Sequence, residues 1–139
     1  MRAVLIVTPN NPPDSEDVSA VESLDEIRAL APDTEAILVR KLDDTKLRAL
    51  SQLRHLRILY TDGNCAVTDA ALPVLASMSA LETLDLEWDS MITDAGLKHL
   101  AKASQLRWLD LGFCENLTPS GLTWLRNALP ECEIEPGAV

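Results

Sequence analysis

Leucines recur in this chain at intervals of 25 residues, and no other feature narrows the possible folds as far. Leu56, Leu81 and Leu106 form one column; Leu59, Leu84 and Leu109 form a second. Thr68, Thr93 and Thr118 follow in the same register, then Leu72, Leu97 and Leu122, then Leu75, Leu100 and Leu125. Windows 81–105 and 106–130 share nine identical residues. A repeat of this length implies one small supersecondary unit that cannot bury its own apolar face and must stack on copies of itself.

Each half of the unit has a physical reading. In L-x-x-L-D-L the last two leucines alternate with an outward residue, the period of a short strand with one buried face. Thr68, Thr93 and Thr118 precede Asp69, Asp94 and Pro119, which is helix N-cap chemistry followed by a residue suited to the first turn. The leucine pairs three residues apart that follow supply a helix's inner stripe. Each repeat is therefore expected to be strand, turn and helix, with parallel neighbouring strands joined by right-handed crossovers.

The runs LETLDLEWDSMITDAGLKHL and LRWLDLGFCENLTPSGLTWL resemble leucine-rich repeats, of the class found in the cysteine-containing repeats of F-box proteins and in many short bacterial proteins. The resemblance covers roughly residues 52–134. It implies an α/β solenoid, a short right-handed horseshoe with parallel strands on the concave face and helices on the convex face. The closing NALPECEIE is similar to the final short strand that ends many bacterial members. F-box relatives recruit substrates for ubiquitination, but no F-box-like segment is read here and that role is not carried over.

A single domain is expected: residues 1–34 as an N-terminal βα cap, 35–55 as a degenerate repeat, 56–130 as three full repeats, and 131–139 as a cap strand and tail. In the degenerate repeat Leu42, Leu47 and Leu50 reproduce the spacing of Val67, Leu72 and Leu75, with Asp43 at the threonine position. In the cap, Ala3 to Val7 reads as a strand, and Val18, Val21, Leu24, Ile27 and Leu30 as the buried stripe of a longer helix. A first repeat needs such a cover, because its edge is otherwise open. A short linker and recruiting helix is the alternative.

The net charge of −10 opposes nucleic-acid binding, which needs clustered cations. Residues 36–58 alone are basic, with six Lys and Arg against two acids, and read as a solvated face. Three cysteines without C-x-x-C spacing suggest neither a disulfide framework nor a zinc site, and fit a reducing cytoplasm. The five-residue apolar run near the start is too short for a signal peptide or a membrane span, so no membrane role is expected. His55 and His99 lack partners at ligand spacing, and Trp124 reads as a convex-face residue. No nucleophile elbow, phosphate loop or H-E-x-x-H occurs. No catalytic residue, cofactor or metal is expected.

The horseshoe register implied by the resemblance turns a particular set of residues toward a partner: Tyr60, Asp62, Asp85, Glu87, Trp88, Trp108, Asp110 and Phe113. That face is aromatic and acidic. Asn64, Asp89 and Cys114 fall at an inward turn position, where Asp89 is expected to accept backbone N–H groups. As a calcium loop the D-x-E-x-D stretch fails, with Ser90 where glycine is required and Gly96 where glutamate is. Asp85 and Asp110 should sit side by side on adjacent strands, an unfavourable pair unless a cation joins them. Arg57, Glu82 and Arg107 alternate in sign and suggest a structural cross-strand ladder.

The leading expectation is a non-enzymatic interaction module that binds a basic protein or peptide, with aromatic anchors and steering carboxylates. A scaffold that docks or self-associates through its end strands or acidic N-terminal helix is the second. An acid–base enzyme using Asp85 and Asp110 is the most remote.

Overall fold

Residues 18–136 are described by the structure, a computed structural model. Among these residues, six strands form one sheet in strict chain order: β1 (Ala20–Val21), β2 (Ala36–Val39), β4 (Ile58–Thr61), β6 (Thr83–Asp85), β7 (Trp108–Asp110) and β8 (Glu133–Glu135). Every adjacent pair is parallel. Two further short strands, β3 (Leu42–Asp43) and β5 (Cys65–Ala66), pair beside it. The helices are α1 (Leu24–Arg28), α2 (Asp44–Leu50), α3 (Leu97–Leu100) and α4 (Pro119–Ala128), with 3-10 turns at Leu72–Ser77 and Asp94–Gly96.

The 25-residue register is the pairing register. Ile37, Leu59, Leu84, Leu109 and Ile134 line up strand to strand and form a continuous inward row. All are at most 4% exposed, and they pack on the helix-side residues Leu47, Leu50, Leu72, Leu75, Leu97, Leu100 and Leu125. Each such side chain contributes about 1.5–3 kcal/mol on burial, so stacking supplies what a single unit lacks.

A second device ties consecutive units together. Asp44 accepts both the backbone N–H (2.7 Å) and the hydroxyl (2.6 Å) of Thr68. Asp69 does the same for Thr93 (2.9 and 2.5 Å), and Asp94 for Thr118 (3.0 and 2.5 Å). The acid at the first position after one cap thus holds the cap threonine of the next unit. Glycine follows from this: a Cβ on Gly96 would fall inside the Asp69 carboxylate, and one on Gly121 inside that of Asp94. Where the aspartate is replaced by Pro119, the ladder ends.

Several expectations are corrected. The stripe from Val18 to Leu30 is not one helix: Val18 and Val21 are buried in extended chain, and β1 takes the edge of β2. The helix begins only at Leu24 because Ser23 and Glu26 form a capping box, Ser23 Oγ accepting from Glu26 N–H at 3.1 Å while Glu26 accepts from Ser23 N–H at 3.2 Å. The expected strand Ala3 to Val7 lies outside the described residues. The first full repeat carries a 3-10 turn, Leu72–Ser77, instead of an α-helix. Thr93 does not cap with its side chain, its hydroxyl donating to Asp69, whereas Thr118 both donates to Asp94 and accepts from Gly121 N–H at 3.0 Å. In the first repeat Asn64 is exposed, and Cys65 fills the inward position. The Arg57–Glu82 rung forms at 3.3 Å, whereas Arg107 donates to the carbonyls of Ser104 and Leu106. Among the described residues no helix is long and apolar enough to cross a membrane.

Candidate functional site

The sheet face away from the core divides into an apolar half and an acidic, aromatic half. Ala36, Ile58, Thr83, Trp108 and Glu133 form one row across the strands, and Asp85, Asp110 and Glu135 lie in the row two residues further along.

Asp85 and Asp110 stand directly opposite one another. Each closes a tight turn after its strand: Asp85 accepts from Glu87 N–H at 2.9 Å, and Asp110 from Gly112 N–H at 2.8 Å. The turn after Asp85 brings Glu87 back over Asp110, so that one oxygen from each of the three carboxylates lies within 4.8 Å of the others. Burial raises the Asp85 pKa, and the charge of Asp110 raises it further against the hydrogen bond from Glu87 N–H. Glu87 is likewise raised, first by burial and then by a hydrogen bond shared with Asp110 and by the charges of Asp110 and Asp85, while a bond to Trp88 opposes the shift. Carboxylates converging this closely repel one another, and a positive charge set among them would relieve that repulsion. These are also the residues that could hold a metal ion among those described.

Immediately beside them, Trp88 and Phe113 stack with ring centroids 4.2 Å apart and planes 10° from parallel. The two rings are 53% and 66% exposed, unlike almost every other large apolar side chain described. Both occupy left-handed backbone, at φ 69° and 57°, in the repeat column whose first member is Gly63 at φ 81°. Left-handed backbone is cheap for glycine and costs roughly 1–2 kcal/mol for a bulky residue. The Trp88 ring also passes over Gly63, where an added Cβ would lie 3.3 Å from Cδ1. A shallow hollow of about 380 Å³ continues from the pair along Leu111, Leu117, Leu122 and Pro136.

Of the residues singled out in the sequence, Asp85, Glu87, Trp88, Asp110 and Phe113 come together here. Trp108 and Tyr60 do not join them: Trp108 is half-buried in the apolar half, and Tyr60, expected to point out, is buried with Val18 and Ile58. Asp62 is exposed and accepts from Lys41 N–H (3.4 Å) and Asn64 N–H (3.1 Å), a turn role. Asp89 is fully buried and accepts from Val67 N–H and Met91 N–H, both at 2.9 Å. Burial raises its pKa while those bonds oppose the rise. Sequence reasoning missed the aromatic stack and its backbone strain. The signal was the column Gly63, Trp88, Phe113, where a glycine marks a conformation its successors must share.

The Thr61 hydroxyl lies between Asp85 and Cys65 but completes a hydrogen bond to neither. Cys65 and Cys114 are buried thiols pushed up to about 12 chiefly by burial, and Cys114 donates to Leu86 carbonyl at 3.2 Å. Neither is suited to nucleophilic attack. Comparison with protein-family models and with curated proteins finds no match to this chain, so the residues themselves carry the functional reading.

Proposed function

We propose that this chain is a short leucine-rich-repeat solenoid serving as a non-enzymatic interaction module, which binds a basic protein or peptide through Asp85, Glu87, Trp88, Asp110 and Phe113. The observation that carries the reading is the Trp88–Phe113 stack, exposed on left-handed backbone beside three converging carboxylates. More than half of each side chain stays in water, while both residues hold left-handed backbone that glycine would adopt at lower cost. Their arrangement suits a cationic side chain, above all arginine, which stacks on an aromatic face while donating to carboxylates.

Scaffolding through the end strands is the weaker reading, since β8 presents Glu133 and Glu135 to any second copy. For the acid–base alternative, no nucleophile stands beside the acids among the described residues to support it.

The test is titration of an arginine-containing peptide and its lysine and glutamate counterparts, followed by calorimetry. Arginine should bind most tightly and glutamate not at all, with affinity falling as salt rises. Trp88→Gly and Phe113→Gly relieve the left-handed backbone, so they should preserve the fold while weakening binding at least tenfold, of order 1.4 kcal/mol or more. Equal binding of all three peptides, or binding indifferent to both substitutions, would refute the proposal.

A further inference from the structure

On the helix side of the sheet, α1 and α2 flank a hollow of about 680 Å³. Both helices are short, so part of each wall is the chain that follows the helix. The floor is apolar: Ile27 and Leu53 are buried, and Leu30 and Ala49 are partly buried against the core. Each wall adds one arginine, Arg28 from α1 and Arg48 from α2, and no acidic side chain lines the hollow among the described residues. Neither guanidinium forms an ion pair or hydrogen bond with a described residue, although Asp and Glu outnumber Lys and Arg in this chain by 22 to 12. The acid one turn before Arg48 is Asp44, whose carboxylate is taken by the N–H and hydroxyl of Thr68 at 2.7 and 2.6 Å. The pairing that a helix ordinarily offers between residues four apart is therefore not made.

We infer that this hollow binds a small amphiphilic carboxylate, with its hydrocarbon body on the apolar floor and its head group on the arginines. Charge selects the head: two guanidiniums without an opposing acid disfavour a cation, and the planar fork of N–H donors on arginine matches a carboxylate better than it matches a hydroxyl. The floor selects the body, because a purely hydrophilic anion would leave Ile27, Leu30, Ala49 and Leu53 without apolar contact. Size selects a small molecule over a protein segment. Mainly apolar hollows of about 300–1,000 Å³ with a few placed polar groups are those that hold small ligands. At 1.5 Å per residue the five residues of α1 and the seven of α2 give helical walls only about 8 and 11 Å long, against roughly 16–22 Å for a partner helix of three or four turns.

The inference does not depend on peptide binding by the acidic face, and its test uses the full chain. Decanoate, decanol, decylammonium and acetate are titrated in turn by calorimetry, and the bound position is read from nuclear Overhauser contacts between the hydrocarbon protons and protein methyls. Decanoate is expected to bind at least about tenfold more tightly than each of the other three, with contacts at Ile27, Leu30 and Leu53. Arg28→Gln/Arg48→Gln alters only exposed side chains and should leave the circular dichroism unchanged. It should weaken decanoate at least about fivefold while leaving decanol unaffected. Decanol binding as tightly as decanoate, or decanoate indifferent to the double substitution, would overturn the inference by making the hollow merely apolar. Contacts at Trp88 and Phe113 in place of Ile27 and Leu30 would move the ligand to the other face, and no binding of decanoate at about 1 mM would leave the hollow without this ligand. A helical peptide of leucine and glutamate that binds more tightly than decanoate, with contacts at the same methyls, would assign the hollow to a protein partner. Each of these results overturns it as well.

Discussion

Gly121→Ala tests the inter-repeat ladder most directly, because two opposing effects act at one atom. Gly121 lies in the first turn of α4, where alanine is favoured over glycine by about 1 kcal/mol. The three atoms nearest the new Cβ all belong to the Asp94 side chain. Accommodating it must displace the carboxylate from its bonds to Thr118 N–H and hydroxyl, a loss of about 0.5–1.5 kcal/mol for each bond in this exposed setting. The expected net effect is destabilisation of about 0–2 kcal/mol, and the informative quantity is its change of sign. In an Asp94→Ala background the clash is gone, and the same substitution should stabilise by up to about 1 kcal/mol. Urea denaturation of the four proteins gives the coupling directly. Those hydrogen bonds from Thr118 also hold the Asp94 pKa below the usual carboxylate range. A depressed carboxylate pKa stabilises the fold at pH above the ordinary value and loses that contribution as pH falls through the folded pKa, so the coupling should shrink under acid conditions. Gly121→Ala effects equal within about 0.5 kcal/mol in both backgrounds would refute the ladder as an energetic link.

The buried Asp89 yields a larger expected loss: Asp89→Ala strands two backbone donors and should cost about 2–5 kcal/mol by chemical denaturation, whereas a change below about 0.5 kcal/mol would show that water replaces the carboxylate. Asp85 gives the opposite pH sign, since its raised pKa means that the ionised form opposes folding above the folded pKa and ceases to do so as pH falls below the ordinary carboxylate value. Asp85→Asn should therefore stabilise the protein more at pH 7 than at about pH 4, and a pH-independent difference would contradict the assignment. Alkylation of native protein should modify partly exposed Cys132 first and slowly, its thiol being pushed up to about 11 by burial, with Cys65 and Cys114 reacting only on unfolding. Mass mapping that found Cys65 labelled first would refute the burial on which this order rests.

Where the sequence succeeded, the periodicity itself was the contact. Leucines 25 residues apart are neighbours across parallel strands because one unit of chain advances the sheet by one strand, so Leu59, Leu84 and Leu109 had to be aligned once the repeat was recognised. The upstream helix was misread because Val18, Val21, Leu24 and Ile27 satisfy helical spacing equally well when the first two lie in extended chain. The capping box at Ser23 and Glu26 was the legible clue to the true boundary. Tyr60 was misplaced for a different reason: alternation assigns a side chain to a face, and says nothing of what lies over that face.

Sequence alone determined the repeat length, the inward leucine rows, the parallel neighbours and the side-by-side placement of Asp85 and Asp110. All four follow from periodicity, which relates residues at fixed separations. Tertiary structure decided that Glu87 folds back to join that pair, that Trp88 stacks on Phe113, and that Asp44, Asp69 and Asp94 lock onto the next unit's threonines. These depend on turn dihedrals and on contacts between units, where a change of a few tens of degrees at φ carries a side chain from one neighbour to another.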